Sequence, residues 1–172
     1  MKKIVFALVL LVASQAIYSK SLVAYFSATG TTKAAAEKLA AEHGSELWRI
    51  LEFEPYTEAD LDWRNPECRT RKEAADTFER PMIKICTWIE PYDTIYLGFP
   101  IWWYVAPTII NTFLESYNFA GKKIVLFATS GGSGFGNAAR ELKASAPGAE
   151  IIEGKLLNRA TDKDIDALIK LL

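Results

Sequence analysis

The chain has 172 residues, half of them hydrophobic and 24% charged, which fits one globular domain with room for a sizeable core. Its formal net charge is −1, so no basic field marks it as a nucleic-acid binder. The single histidine, His43, and the two cysteines, Cys68 and Cys86, offer no metal-ligand spacing.

Lys2 and Lys3 precede an unbroken apolar run over residues 4–13, and Ser14-Gln15-Ala16 then supplies small residues of the kind signal peptidase reads. The pattern predicts a signal peptide over residues 1–16, ending by about residue 20, ahead of a domain over 21–172 that is exported to the periplasm. The run is short for a membrane span. The other reading keeps it as a buried strand of a cytoplasmic protein. Loss of the leader removes two lysines and no acid, taking the net charge from −1 to −3. Export would place Cys68 and Cys86 in an oxidising compartment; their spacing leaves both a disulfide and two free thiols open.

Residues 22–26 are apolar and β-rich and predict the first strand. Ser27-Ala28-Thr29-Gly30-Thr31-Thr32 follows at once. Residues 32–43 then place Ala35, Ala36, Leu39 and Ala40 on one helical face, ending at Gly44. The first amides of a helix lack internal partners and sit at the positive end of its dipole. Gly30 allows close backbone approach and the hydroxyls add donors, so this turn suits a phosphate monoester. It holds no Lys or Arg, unlike the lysine-bearing loop that grips nucleoside triphosphates.

Residues 47–51 predict a second strand. The stretch 54–80, with Pro55 and Pro66, reads as a long connection carrying one helix over 71–78. A third strand is expected over 94–98, then a helix over 106–117 with Pro107 in its first turn. Residues 123–128 form a fourth, continuously apolar strand of the kind found in sheets covered on both faces. A helix over 135–145, a short strand from 150–152 and a helix over 162–171 complete the chain, the last capped by Thr161 with Asp164 three residues on. Strands alternating with helices imply a parallel sheet wound on both sides.

Ligands of such sheets bind beyond the carboxyl ends of the strands. Three strand ends here carry unusual loops: Ser27 to Thr32, then Phe99-Pro100-Ile101-Trp102-Trp103-Tyr104, then Thr129-Ser130-Gly131-Gly132-Ser133-Gly134-Phe135-Gly136. Taken singly, these read as a helix cap, core or interface tryptophans and a flexible turn. Their shared edge favours a ligand with a phosphate at one end and a flat ring system at the other. His43, at a helix end, is expected as a charge favourable to the dipole. The basic run 69–72 is expected as a solvated face, with docking of an acidic partner as the sharper alternative.

The chain resembles the flavodoxin family. The resemblance rests on Ser27-x-Thr29-Gly30-x-Thr32, on Gly98-Phe99-Pro100-Ile101-Trp102-Trp103 and on Thr129-Ser130-Gly131-Gly132-Ser133-Gly134. Residues 106–116 also resemble the helix that follows the aromatic loop in a bacterial branch of the family, and the match runs roughly over 21–158. The resemblance implies an α/β, flavodoxin-like, doubly wound five-stranded parallel sheet of order 2-1-3-4-5 with helices on both faces, and FMN as cofactor. By position it implies that Ser27, Thr29, Gly30, Thr31 and Thr32 hold the FMN phosphate. Pro100, Ile101, Trp102 and Trp103 would border the isoalloxazine ring, with Tyr104 as a further contact. Thr129, Ser130, Gly131, Gly132 and Gly134 would form a third wall near the pyrimidine end.

Two departures stand out. Tyr104 follows the tryptophan pair where related sequences often carry a small residue, so it covers the flavin or narrows access to it. The chain is nearly neutral, where many flavodoxins are strongly acidic, which points to a different docking partner. The implied function is that of a monomeric electron carrier meeting a reductase and an acceptor transiently, with no catalytic acid, base or nucleophile of its own. The alternatives are an FMN-dependent NAD(P)H, quinone or azo reductase using residues 53–80 as a substrate lid, and a non-redox module for another phosphorylated ligand or an interaction partner.

Overall fold

The computed structural model describes residues 20–75, 80–85 and 88–172. The expected leader over 1–16, the end of the helix expected over 71–78, and Cys86 lie outside the described residues. Five strands form one parallel sheet: β1 (Ser21–Tyr25), β2 (Glu46–Arg49), β3 (Thr94–Pro100), β4 (Lys123–Thr129) and β5 (Glu150–Leu156). They lie in the order β2-β1-β3-β4-β5, as the resemblance implied. The helices are α1 (Thr31–His43), α2 (Arg69–Ala75), α3 (Thr108–Glu115), α4 (Ala138–Leu142) and α5 (Asp162–Ile169), and a 3-10 turn (Lys143–Ser145) extends α4.

The apolar strands bury both of their faces, because successive side chains point to opposite sides. Leu22, Ala24 and Phe26 face a layer that includes Ile109, Ile110 and Phe113 of α3 and Ala138 and Leu142 of α4. Val23 and Tyr25 face Ala35, Ala36 and Leu39 of α1 and Ile165 and Leu168 of α5. The central strands are in register at their carboxyl ends: Tyr25 pairs with Gly98, Gly98 with Phe127, and Pro100 with Thr129. That register delivers three loops to one rim.

Several boundaries differ from the sequence expectations. β2 stops at Arg49, because residues 51–53 leave the sheet: Phe53 N–H donates to Met82 O (2.9 Å), Lys84 N–H to Leu51 O (2.8 Å), and Glu52 bridges antiparallel to Ile83. β5 runs on to Leu156 through Glu153, Gly154 and Lys155, since an edge strand needs no continuous apolar run. The helix expected from 135 begins at Ala138, after Gly136 takes a left-handed φ of 56°. α3 begins after Pro107, which serves as its N-cap. Thr161 caps α5 as expected, its hydroxyl accepting from Asp164 N–H at 3.3 Å.

His43 corrects an expectation. It is half-buried at the end of α1, with Nδ1 hydrogen-bonded to Ser45 Oγ (2.8 Å) and Ser21 Oγ (3.2 Å) and Nε2 to Tyr96 Oη (3.3 Å). Burial lowers its pKa below the usual imidazole value, so the ring is neutral at pH 7 and contributes no positive charge to the helix end. Cys68 is a buried free thiol. Among the described residues, no helix is long and apolar enough to cross a membrane.

Candidate functional site

The turn after β1 is shaped by Ser27 and Gly30. Ser27 Oγ accepts from Gly30 N–H at 3.1 Å, which draws the turn closed and leaves the serine's own proton free to donate. Gly30 is the N-cap of α1 at φ 93°, a left-handed conformation that suits glycine, and a Cβ there would meet nothing within 4 Å. No side chain caps α1. The first intrahelical bond runs from Ala34 N–H to Gly30 O, and the amides of Thr31, Thr32 and Lys33 have no acceptor among the described residues. A helix start in this condition calls for an acceptor from outside, and its dipole favours an anion.

The Thr32 hydroxyl is committed in part. Its Oγ1 lies 2.7 Å from Thr129 Oγ1 at the end of β4, and both residues are buried. Two hydroxyls carry two protons; the mutual bond uses one, leaving one for a third partner. Arg49, on β2, reaches the outside of the turn, with Nη2 3.4 Å from Ser27 O and 3.6 Å from Glu52 Oε1.

After β3 the chain makes a tight hairpin. Trp102 and Val105 exchange both backbone hydrogen bonds at 3.0 Å, with Trp103 at φ 53° and Tyr104 at φ 66° between them. Two adjacent left-handed non-glycine residues are costly, on the order of 1–3 kcal/mol each, and need support. Gly136 of the following loop gives part of it: a Cβ there would stand 2.2 Å from Tyr104 O, so that close approach requires glycine. Trp102 packs edge-on against Phe26 (5.6 Å, 89°) and Tyr56 (5.3 Å, 79°). Behind it, Tyr56 Oη donates to Glu73 (2.7 Å), and Arg69, stacked 4.2 Å over the Tyr56 ring, holds the other Glu73 oxygen at 2.6 Å. Burial raises the Tyr56 pKa well above the usual phenol value, and the bond to Glu73 adds to it. The phenol therefore stays protonated, as a prop for Trp102.

The glycine-rich loop after β4 is fixed by a side chain that the sequence reading did not single out. Asn158, past β5, pairs with Ser130 like a backbone strand: Ser130 N–H donates to Asn158 Oδ1 (2.7 Å) and Asn158 Nδ2 donates to Ser130 O (2.8 Å). Ser130 Oγ also accepts from Gly132 N–H (3.2 Å) and lies 2.9 Å from Ser133 Oγ. The amides of Gly131, Ser133 and Gly134 have no acceptor among the described residues and remain available to a ligand.

These loops line one cleft of about 500 Å³. Of the expected site residues, Thr29, Thr32, Pro100, Ile101, Trp102, Trp103, Tyr104, Ser130, Gly131 and Gly132 line it. Ser27, Gly30, Thr31, Thr129 and Gly134 do not; the first four shape the turn or bond its members, and Gly134 lies further along the third loop. Ala28, Leu61, Trp63, Thr70 and Ser133 also line the cleft. Leu61 and Trp63 come from the polar segment between β2 and α2, which carries no periodicity that could have pointed to them. None of the described residues lining the cleft is charged. The basic run 69–72 is a solvated face in part only: Arg69 pairs with Glu73, Lys72 with Glu67 (3.2 Å), and Arg71 sits over Trp103 at 5.2 Å. Among the described residues, no group of three or more His, Cys, Asp or Glu could hold a metal ion.

Fold and cleft together define a doubly wound α/β protein whose site lies at the carboxyl ends of its strands. Comparison with known proteins agrees. The family model described as Flavodoxin matches residues 20–171. A solved structure from Bacteroides eggerthii, classed as a flavoprotein, is 51% identical, with a TM-score of 0.84 over 89% of this chain and 97% of that one. A Bacteroides uniformis structure of the same class is 46% identical, with a TM-score of 0.83 over 88% and 98%. The Lactobacillus acidophilus flavoprotein solved in complex with FMN is 25% identical, with a TM-score of 0.63 over 85% and 98%. Comparison with curated proteins gives no match. The chain belongs to the flavodoxin family.

Proposed function

We propose that this protein binds FMN in the cleft and acts as an electron-transfer protein between redox partners. The observation that carries the reading is the convergence of acceptorless helix amides, an uncharged aromatic wall and a loop of free amides on one cleft. The residues fit the group. Thr31, Thr32 and Lys33 offer amides to the phosphate, with hydroxyls from Thr29 and Thr32 in the cleft lining and those of Ser27 and Thr31 beside them. Trp102 and Trp103 would border the ring, and the amides of Gly131 and Ser133 would reach its polar edge. The FMN complex of the Lactobacillus relative supports the same choice of cofactor.

Bound FMN would supply the one- or two-electron chemistry that the side chains lack. The protein's part is to hold, orient and shield it. An uncharged lining gives no counterion for negative charge that develops on the ring, which disfavours full reduction. A second reading, an FMN-dependent NAD(P)H, quinone or azo reductase, is favoured by Leu61 and Trp63, which reach the cleft from the segment expected to serve as a substrate lid. One assay separates the two. As a carrier, the FMN-loaded protein mixed with NADH and a quinone consumes no NADH unless a separate reductase is added. Sustained NADH oxidation by the protein alone would overturn the carrier reading.

A further inference from the structure

Resting on the flavin reading above, we propose that the rim of the cleft is a docking surface for a redox protein that presents carboxylates around its own redox centre. Two of the tryptophans lining the cleft each carry a guanidinium over the ring: Arg64 lies 5.3 Å from the Trp63 centroid and Arg71 lies 5.2 Å from the Trp103 centroid. Both arginines are exposed, and neither lines the cleft. Neither forms an ion pair among the described residues, whereas their neighbours Arg69 and Lys72 are held by Glu73 and Glu67. The nearest acid in sequence, Asp62, accepts from the Arg64 backbone amide at 3.1 Å and makes no ion pair with its guanidinium.

Between these cations the mouth of the cleft is apolar and open: Trp63 is 66% and Tyr104 71% exposed, and both line it. An exposed aromatic centre edged by charge that no described residue pairs has the anatomy of a transient interface. Aromatic faces hold the guanidiniums in place without neutralising them. The two cations sit on separate pieces of chain, one between β2 and α2 and the other on α2, and both stand outside the lining. They therefore act on what approaches the mouth rather than on what lies within it. Like-charge repulsion would turn away a basic surface and opposite charge would steer an acidic one.

The test uses charged probes. In FMN-loaded, photoreduced protein, oxidation by hexacyanoferrate(III), which takes one electron from the flavin and becomes hexacyanoferrate(II), is followed beside oxidation by hexaammineruthenium(III). Arg64→Gln and Arg71→Gln should each slow the anionic oxidant by about threefold at low salt and speed the cationic one, with the difference lost at high salt. Arg71→Lys should restore the Arg71 share. An oligoglutamate peptide should compete with hexacyanoferrate(III) while the same concentration of free glutamate does not. Unchanged rates in the Gln variants, or equal competition by free glutamate, would overturn the proposal. A flavin-free readout accompanies it: the ratio of iodide to caesium quenching of tryptophan fluorescence should fall in the Arg64→Gln/Arg71→Gln protein. An unchanged ratio overturns the surface, and because this arm needs no cofactor it separates that failure from failure of the flavin reading.

Discussion

Replacing Thr32 by valine removes one hydroxyl from a buried pair and keeps the side chain's shape. Thr32 and Thr129 are 1% and 4% exposed, and their hydroxyl oxygens lie 2.7 Å apart. The Thr129 hydroxyl would then be left without a protein partner in a site that water scarcely reaches. Leaving one buried polar group unmet costs about 1–3 kcal/mol. Thr129→Val produces the same orphan from the other side. The double variant leaves no hydroxyl behind, so its cost falls short of the sum of the singles by about 1–2 kcal/mol. With a urea slope of about 1–3 kcal/mol per molar for small proteins, each single variant lowers the flavin-free unfolding midpoint by roughly 1 M. FMN and riboflavin titrations add a second layer. Thr32→Val takes away a donor to the phosphate, so FMN affinity falls about 10- to 100-fold, the equivalent of one hydrogen bond to a charged group. Riboflavin, which lacks the phosphate, should change little. Additive singles and double would refute the latch between the two loops, and equal losses for both ligands would refute the phosphate role.

Three further outcomes follow from the same geometry. Trp103→Ala should weaken FMN and riboflavin alike, since it removes ring contact and leaves the phosphate turn intact; selective loss of FMN would place Trp103 elsewhere. Gly136→Ala puts a Cβ 2.2 Å from Tyr104 O at a φ of 56°, so it should cost about 1–3 kcal/mol in urea unfolding and loosen ring binding; an unchanged midpoint would show that the hairpin does not need this contact. The lowered pKa of His43 means that the unfolded chain takes up a proton near pH 6.5 while the native ring resists it. Stability is therefore full above that pH and declines as pH falls through about 6.5. His43→Gln should flatten the unfolding midpoint between about pH 5.5 and 7.5, and an unaltered slope would contradict the burial argument.

Much of the fold was legible because its signals are local. Ile124, Val125, Leu126 and Phe127 form an uninterrupted apolar run that cannot lie at a surface, and the structure buries all four. Gly44 and Thr161 mark helix ends by chemistry that acts within four residues. The three loops were legible because each interrupts an apolar strand, and parallel strands must deliver such loops to one side. What escaped was long-range. Leu61 and Trp63 reach the cleft from a segment with no periodicity, and Asn158 clamps Ser130 from 28 residues away. The pairing of residues 51–53 with 82–84 depends on backbone groups, which carry no side-chain signature. The neutral state of His43 also required tertiary knowledge, because only the packed structure reveals its burial against Tyr96.

Equilibrium titration of the purified protein with FMN, read by quenching of flavin fluorescence and by the visible absorption bands, tests the central claim most directly. The account predicts saturation at one FMN per chain, with riboflavin binding at least about tenfold more weakly because it leaves the α1 amides without an acceptor. A colourless protein that leaves FMN fluorescence untouched, or one that binds FMN and riboflavin equally, would contradict it.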